Sequence, residues 1–210
     1  MGVMYNVRIQ KQSLNPARTF PPVDMYHKKL AKLDSRLDDV LKLMRDAGER
    51  SLHTAPIAGA WTPLQALHHI YLAERSSVDY LLFKFGEDEQ PPEHNFRTRL
   101  NGKVILAAFA SPKKFKSPAD VDSRNVSASR SLSLESISYD LRMTRNELED
   151  LLKTAPEAWH KAPVYRHPVV GRMSLIDMLR FFQAHQTRHF RQIKRALAQN
   201  ARNNRRQKAS

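Results

Sequence analysis

Residues 175–197 read LIDMLRFFQAHQTRHFRQIKRAL, and the spacing of their apolar side chains decides the fold. One stripe recurs every three or four positions, which keeps its members on a single face of an α-helix. The stripe comprises Leu175, Met178, Leu179, Phe182, His185, His189, Ile193 and Ala196. We therefore predict a long amphipathic helix whose packed face includes two histidines one turn apart.

The residues on either side of this stretch predict where the helix begins and ends. Ser174 is suited to the N-cap position, and Asp177 completes a short version of the capping box. The helical pattern continues past Leu197. Residues 201–210, ARNNRRQKAS, lose the apolar spacing, so we expect a frayed, solvated and basic end.

Three further segments show the same helical spacing. Proline or a hydroxyl residue precedes each of them, and glycine or proline follows, as is typical of helix ends. Their predicted limits are Pro22 to Gly48, Thr62 to Gly86, and Ser133 to Pro156.

The connections between the four helices indicate their arrangement. The first and third connections are short and suit antiparallel neighbours. Residues 87–131 contain four prolines and several polar runs, with one apolar piece, residues 104–110, that could form a short helix. At about 1.5 Å of helix rise per residue, this crossover is long enough to traverse a bundle. We predict an all-α, up-down-down-up four-helix bundle over residues 22–200, an N-terminal extension (1–21) and a basic tail (201–210).

The composition narrows the class of protein. The formal net charge is +14, but Lys and Arg are scattered along the chain, so nucleic acid is disfavoured as the main partner. The chain has no cysteine, which excludes disulfides and thiolate metal sites. No run of eighteen apolar residues and no secretory signal is present, so we expect no membrane partner and a cytoplasmic location. A homodimer is left open.

His185 and His189 require an explanation, because burying an imidazole is unfavourable unless it finds a partner. Two core histidines hydrogen-bonded to the backbone or to each other would satisfy this requirement. The i, i+4 spacing also allows both rings to bind one metal ion, which would need a third ligand from another helix. His68 and His69 lie in the second helix, about 100° apart around its axis, and periodicity does not choose between them.

Two sequence blocks resemble the DinB-like superfamily. WTPLQALHHIYLAE, residues 61–74, is similar to the second helix of its members, which carry a histidine eight positions after the tryptophan. GRMSLIDMLRFFQAHQTRHFRQI, residues 171–193, is similar to their fourth helix, with its H-x-x-x-H followed by Q-I. A weaker likeness lies in SPKKFKSPADV, residues 111–121, which resembles the segment before helix three.

The resemblance implies a four-helix bundle that binds a divalent cation, such as zinc or nickel, through three histidines. Carried over position by position, these are His69, His185 and His189, and His68 is expected to be a solvated or hydrogen-bonded neighbour. Members with assigned activities are thiol-dependent transferases or isomerases, and others resemble hydrolases. The resemblance therefore implies a metal-dependent enzyme acting on a small molecule, with a low-molecular-weight thiol as a candidate substrate.

Other functions stay open as alternatives. One is a bundle that binds a metal or a small molecule without catalysis, in a stress response for example, and another is a basic nucleic-acid binder. A metalloprotease of the H-E-x-x-H type is disfavoured because residues 186–188 read QTR and lack the glutamate.

Four other side chains are candidates for a place in the functional site. Glu74 is expected on the helix surface or in a hydrogen bond rather than as a base. Trp61 is expected to pack in the core at the start of the second helix. Arg188 and Arg191 are expected to form a solvated face, with a role in holding an anionic substrate as the alternative.

Overall fold

The computed structural model describes residues 23–86, 91–93 and 133–209, and single positions at 98, 100, 101, 103, 104 and 107. Over these residues the protein is predominantly helical, in agreement with the predicted all-α class. The elements are α1 (Val23–Ala47), α2 (Glu49–His53), α3 (Pro63–Gly86), α4 (Leu134–Thr154), α5 (Glu157–Lys161), β1 (Tyr165–His167), β2 (Gly171–Met173) and α6 (Leu175–Ala209). The predicted N-terminal extension, and most of the crossover with its short helix, lie outside the described residues.

Capping boxes fix the starts of α3 and α6 at the predicted residues. The hydroxyl of Ser174 accepts the backbone N–H of Asp177 at 3.2 Å and donates to its carboxylate at 2.9 Å. At α3 the hydroxyl of Thr62 accepts the backbone N–H of Gln65 at 3.1 Å, and the side-chain oxygen of Gln65 accepts the backbone N–H of Thr62 at 3.0 Å. Each box satisfies N–H groups that the first helical turn leaves without partners. The helix starts therefore set which faces of α3 and α6 point into the protein.

Gly48 ends α1, as the sequence predicts. Its φ of 76° lies in the left-handed region that favours glycine, and its N–H donates to the carbonyl of Arg45 at 3.1 Å. The chain then enters the short helix α2 at once, which the sequence pattern did not predict. Leu52 of α2 is buried, so this turn adds to the core.

A small hairpin stands where the sequence indicated only a loop. β1 and β2 pair antiparallel, with Tyr165 opposite Met173 and His167 opposite Gly171. Strands of three residues are too short for alternation of apolar and polar side chains to be recognised. The hydroxyls of Tyr165 and Ser77 are hydrogen-bonded at 2.9 Å, which attaches the hairpin to α3.

The four long helices are held together by two apolar clusters with polar side chains between them. α1 packs against α4 and α6, and α3 packs against the same two helices. Every long helix contributes apolar side chains to both clusters. Between its two contributions, each helix carries polar groups that we call the polar layer: Asp34 in α1, Glu74 in α3, Arg145 in α4, and His185, Gln186 and His189 in α6.

The C-terminal segment differs from the expected frayed end. α6 continues through it to Ala209, with mostly exposed side chains. The buried amide of Asn200 donates to the carbonyls of Ser51 at 3.0 Å and Thr54 at 2.8 Å, which attaches this part of α6 to the end of α2. None of the described helices combines the length and the apolar character that crossing a membrane requires.

Candidate metal centre

Three predicted histidines meet where α3 packs against α6. His69 lies in the second turn of α3, after the capping box at Thr62. His185 and His189 lie one turn apart near the middle of α6. All three side chains are buried, with 4%, 4% and 9% of their surface exposed. The structure therefore brings together the histidines that the resemblance singled out.

The ring nitrogens of these histidines converge. One potential ligand atom from each ring lies within 4.8 Å of the other two, so the group could hold a metal ion. The Nε2 atoms of His69 and His185 are 3.1 Å apart. The ring of His189 lies edge-on to both, with centroid distances of 4.7 Å to His69 and 4.5 Å to His185. We call His69, His185 and His189 the histidine triad.

The donor set fits a divalent cation. Two imidazole nitrogens that bind one ion at about 2.0–2.1 Å, at about 90–110° to each other, lie about 2.9–3.4 Å apart. The distance of 3.1 Å between the Nε2 atoms of His69 and His185 falls within this interval. A direct hydrogen bond between the two rings has the same length, so the chemistry of the remaining atoms has to distinguish these explanations.

Gln192 orients the ring of His189. Its side-chain oxygen accepts a hydrogen bond from Nδ1 of His189 at 2.9 Å. Nδ1 therefore carries the proton, and Nε2 is left with the lone pair that a metal needs. Histidine ligands in metal sites are held by this kind of second hydrogen bond. The family pattern includes the Q-I that follows H-x-x-x-H, but the sequence alone does not indicate a role for its glutamine.

The two histidines of α6 are uncharged near neutral pH. Burial, together with the neighbouring His189 and His69, holds the pKa of His185 well below its usual value. Burial and the proximity of His69 lower the pKa of His189 to about 3. Because only the neutral imidazole binds a metal, these low pKa values remove proton competition at pH 7.

Aromatic side chains line the triad. The ring of Trp61 lies 4.8 Å from that of His69 and 6.0 Å from that of His189. Phe181 lies on another side, 5.4 Å from the ring of His185. Trp61 is half-buried and packs against the apolar cluster, as expected, but it also contacts the candidate site. These rings reduce the access of water to the triad.

His68 does not belong to the triad. It is only 3% exposed, so of the two expected alternatives, a solvated or a hydrogen-bonded neighbour, the solvated one does not hold. Its ring stacks on Tyr71 at 5.9 Å, and burial followed by the nearby His69 lowers its pKa. Consecutive residues of a helix diverge by about 100°, and His69 is the one of the pair that faces α6.

Glu74 is buried and hydrogen-bonded, so the surface position considered for it is wrong. Its two carboxylate oxygens accept bonds from Nε and Nη2 of Arg145 at 2.8 and 2.9 Å. Glu74 lies about 140° around α3 from His69, and this face is covered by α4. The carboxylate is therefore committed to an ion pair.

His167 and Arg188 lie near the triad as well. The ring of His167 is 4.8 Å from Phe181, which in turn contacts His185. Nδ1 of His167 accepts the N–H of Val169 at 3.2 Å, so its Nε2 carries a proton and is a donor. The sequence placed His167 in a loop and gave no signal of this position.

The positive charge of Arg188 is close enough to act electrostatically on the triad. After burial and the neighbouring histidines, Arg188 helps to lower the pKa of both His185 and His189. It is partly buried, whereas Arg191 is exposed. Of the two candidate arginines, Arg188 and Arg191, Arg188 is therefore the one close to the histidines.

These features define a predominantly helical protein with a group of three buried histidines that could hold a metal ion. The sequence model of the DinB superfamily matches residues 32–193, a range that includes all three histidines. The chain belongs to the DinB superfamily. No curated protein and no solved structure matches it.

Proposed function

We propose that this protein binds one divalent metal ion through His69, His185 and His189, and that the bound form is an enzyme. The observation that carries the proposal is the convergence of three ring nitrogens from two helices in a buried place. Membership of the DinB superfamily fits a metal-binding protein. The reactions that we propose are thiol-dependent group transfer or hydrolysis.

The fold that we propose is a four-helix bundle with up-down-down-up order. The first halves of α3 and α4 contribute to one apolar cluster, and their second halves contribute to the other, which supports parallel directions for these two helices. α1 and α6 share the clusters in the opposite order. This arrangement places His69 beside the middle of α6.

His69, His185 and His189 would hold the ion, which would supply Lewis-acid chemistry when bound, with a pKa of about 7 for bound water and stabilisation of a thiolate. The protein's own side chains have other roles. Gln192 holds His189 in the tautomer that presents Nε2. Trp61 and Phe181 exclude water, which strengthens electrostatic interactions in the site.

A proteolytic mechanism is disfavoured by the residues between the two histidines of α6. The amide of Gln186 donates to the carbonyl of Leu33, and Thr187 donates to the carbonyl of Gln183. Both side chains are occupied in packing α6, and neither can act as a general base in the way that the glutamate of H-E-x-x-H does.

The substrate that we propose is a small molecule, with a low-molecular-weight thiol as the candidate. Thiolate sulfur is a ligand that zinc accepts readily. Arg188 supplies a positive charge close to His185 and His189, which would favour a substrate with a carboxylate.

Metal content tests the proposal directly. The protein is purified without a metal-affinity column and analysed by mass spectrometry for bound metals, before and after incubation with zinc or nickel. We expect one ion per chain in the wild type and none in His185→Ala, because two imidazoles are left. His68→Ala is the matched control, since His68 is equally buried but outside the triad.

Two results would overturn the proposal. A wild-type protein that neither contains nor takes up a divalent ion would leave the triad as hydrogen-bonded core histidines. A His185→Ala protein that is folded by circular dichroism and retains its metal would remove His185 from the site.

A non-catalytic metal-binding protein is the second candidate. It is favoured by the burial of the triad, in which each ring is at most 9% exposed, because a reacting molecule needs room. A panel of thiol conjugates and esters, tested with the metal-loaded protein, distinguishes the two. Turnover that His185→Ala abolishes supports the enzyme, and a blank panel supports the binding protein.

A further inference from the structure

α6 is unusually basic after its first turn. From Met178 to the end of the chain there is no Asp or Glu, whereas nine residues are Lys or Arg. Only the first turn of α6 carries an acidic residue, Asp177. The excess positive charge of the protein is therefore concentrated on one element.

Six of these basic residues share one face. At about 100° per residue they fall within an arc of about 120°, and at about 1.5 Å per residue they extend over about 22 Å. All six are exposed: Arg191, Lys194, Arg195, Arg202, Arg205 and Arg206. We call them the basic stripe. Ala198 and Ala201 are exposed on the same side and are small enough to allow a flat surface to approach.

The protein holds this segment in place. Asn200 is 1% exposed and donates to the carbonyls of Ser51 and Thr54, as described above. Asn203 donates to the carbonyl of Pro56 at 3.3 Å. These bonds attach one side of α6 to the connection between α2 and α3, so the opposite side faces outward. The basic stripe is thus a preformed surface.

The positive charge of the basic stripe is not neutralised by the described residues. None of the six cations pairs with a carboxylate in this part of the chain. The groove between α1 and α6 is mixed, since Asp39 and Asp46 lie there with Lys42 and Lys194. These two carboxylates reduce the potential beside Lys194 but leave the arginines nearer the C-terminus unopposed.

We infer that the basic stripe binds the phosphate backbone of double-stranded DNA. Six cations over about 22 Å suit a polyanion with one phosphate per about 3.4 Å of each strand. The stripe has no exposed aromatic ring, so it offers no platform on which single-stranded bases could stack. The apolar residues of this part of α6, such as Ile193 and Leu197, are buried in the core, so its exposed side has no apolar face to insert into a membrane.

B-form DNA suits the stripe better than an RNA duplex. The major groove of DNA is about 12 Å wide and admits an exposed helix, whereas that of A-form RNA is too narrow. The contacts are to phosphates, so binding is independent of base sequence. The expectation that nucleic acid is disfavoured depended on charge scattered along the chain and on a frayed tail. α6 is helical through this tail, which removes the second of these premises.

The test uses the full chain and a fluorescently labelled 24-base-pair DNA duplex, with binding measured by anisotropy over a range of KCl concentrations. The variant Arg195→Gln/Arg202→Gln/Arg205→Gln removes half of the stripe. The matched control, Lys28→Gln/Lys32→Gln/Arg45→Gln, removes the same charge from exposed positions of α1. Circular dichroism and metal content check that both variants are folded and that the triad is intact.

The expected salt slope, the change of log K with log[KCl], is about −5 for the wild type and the control and about −3 for the stripe variant. The stripe variant should bind at least tenfold more weakly at 0.1 M KCl. Equal losses in the two variants, or no binding to any duplex, would overturn the inference. Tighter binding to single-stranded DNA, to an RNA duplex or to phosphatidylserine vesicles would also overturn it. Whether the stripe binds DNA does not depend on whether the histidine triad binds a metal, so the two proposals can fail independently.

Discussion

Two groups of polar side chains, most of them buried, lie in or beside the polar layer, and they differ in charge. In the first, Arg145 donates to Glu74 through two nitrogens and to Asp34 through Nη1 at 2.8 Å. We call these three residues the ionic triad. In the histidine triad, by contrast, His185 and His189 are neutral and the ring nitrogens face one another.

The comparison distinguishes a structural group from a candidate site. In the ionic triad every charge contacts an opposite charge, so nothing further is needed to stabilise it. The histidine triad brings three ring nitrogens together in a low-dielectric region, where they need a hydrogen bond between rings or a shared cation. Paired charges therefore indicate a structural role for the ionic triad, whereas the convergence of ring nitrogens indicates a candidate binding site.

The largest effect is expected from breaking the ionic triad. Arg145→Ala leaves the carboxylate of Glu74 buried without its partner, and we expect the free energy of unfolding to fall by about 3–5 kcal/mol. Urea denaturation followed by circular dichroism at pH 7.5 measures this change.

The double variant Glu74→Leu/Arg145→Met is the control for that prediction. It removes both buried charges at once, so it should recover most of the lost stability. A loss below about 1 kcal/mol in Arg145→Ala would mean that Glu74 is solvated, and the contrast between the triads would then disappear.

Acidification should act on the buried histidines. Burial lowers the pKa of His167 to about 4, and the pKa values of His185 and His189 are also depressed. Above pH 6.5 both the folded and the unfolded chain are neutral at these positions. Below it the unfolded chain takes up protons that the folded chain cannot, so stability is lost as the pH falls from about 6.5 towards the folded pKa values.

For the metal-free protein we expect a loss of about 0.7 kcal/mol per histidine between pH 7 and pH 6, or about 2 kcal/mol for all three. Urea titrations in the presence of a chelator measure it. His167→Gln should reduce the loss by about 0.7 kcal/mol, the contribution of one buried histidine. Stability that is constant over this interval would show that the rings are not desolvated.

Much of this site could be predicted from sequence because it depends on local rules. The capping residues Ser174 and Thr62 set the phase of α6 and α3, and the i, i+4 spacing then puts His185 and His189 on one face. The choice of His69 over His68 required the resemblance, because α3 is packed on more than one side and its apolar pattern is nearly continuous.

What the sequence did not predict depends on contacts between distant segments. Arg145 is 71 residues from Glu74 in the chain, and its burial follows only from how α3 and α4 pack. The helical C-terminus likewise depends on the bonds from Asn200 to the end of α2. The position of His167 depends on the short hairpin, whose strands are below the length at which a pattern is visible.

The smallest change in free energy, and the most specific test of the candidate metal centre, is expected for zinc binding after replacement of Gln192. Replacing it by alanine removes the acceptor for Nδ1 of His189 while leaving all three ligands in place. The ring is then free to rotate or to change tautomer, and we expect zinc affinity to fall about tenfold, as is typical when a ligand histidine loses its supporting hydrogen bond. Competition with a chromophoric chelator measures the affinity, and Gln192→Glu, which keeps an acceptor, should bind zinc at least as tightly as the wild type. If both variants bind zinc like the wild type, then His189 is oriented by packing alone, and Gln192 has no part in the metal centre.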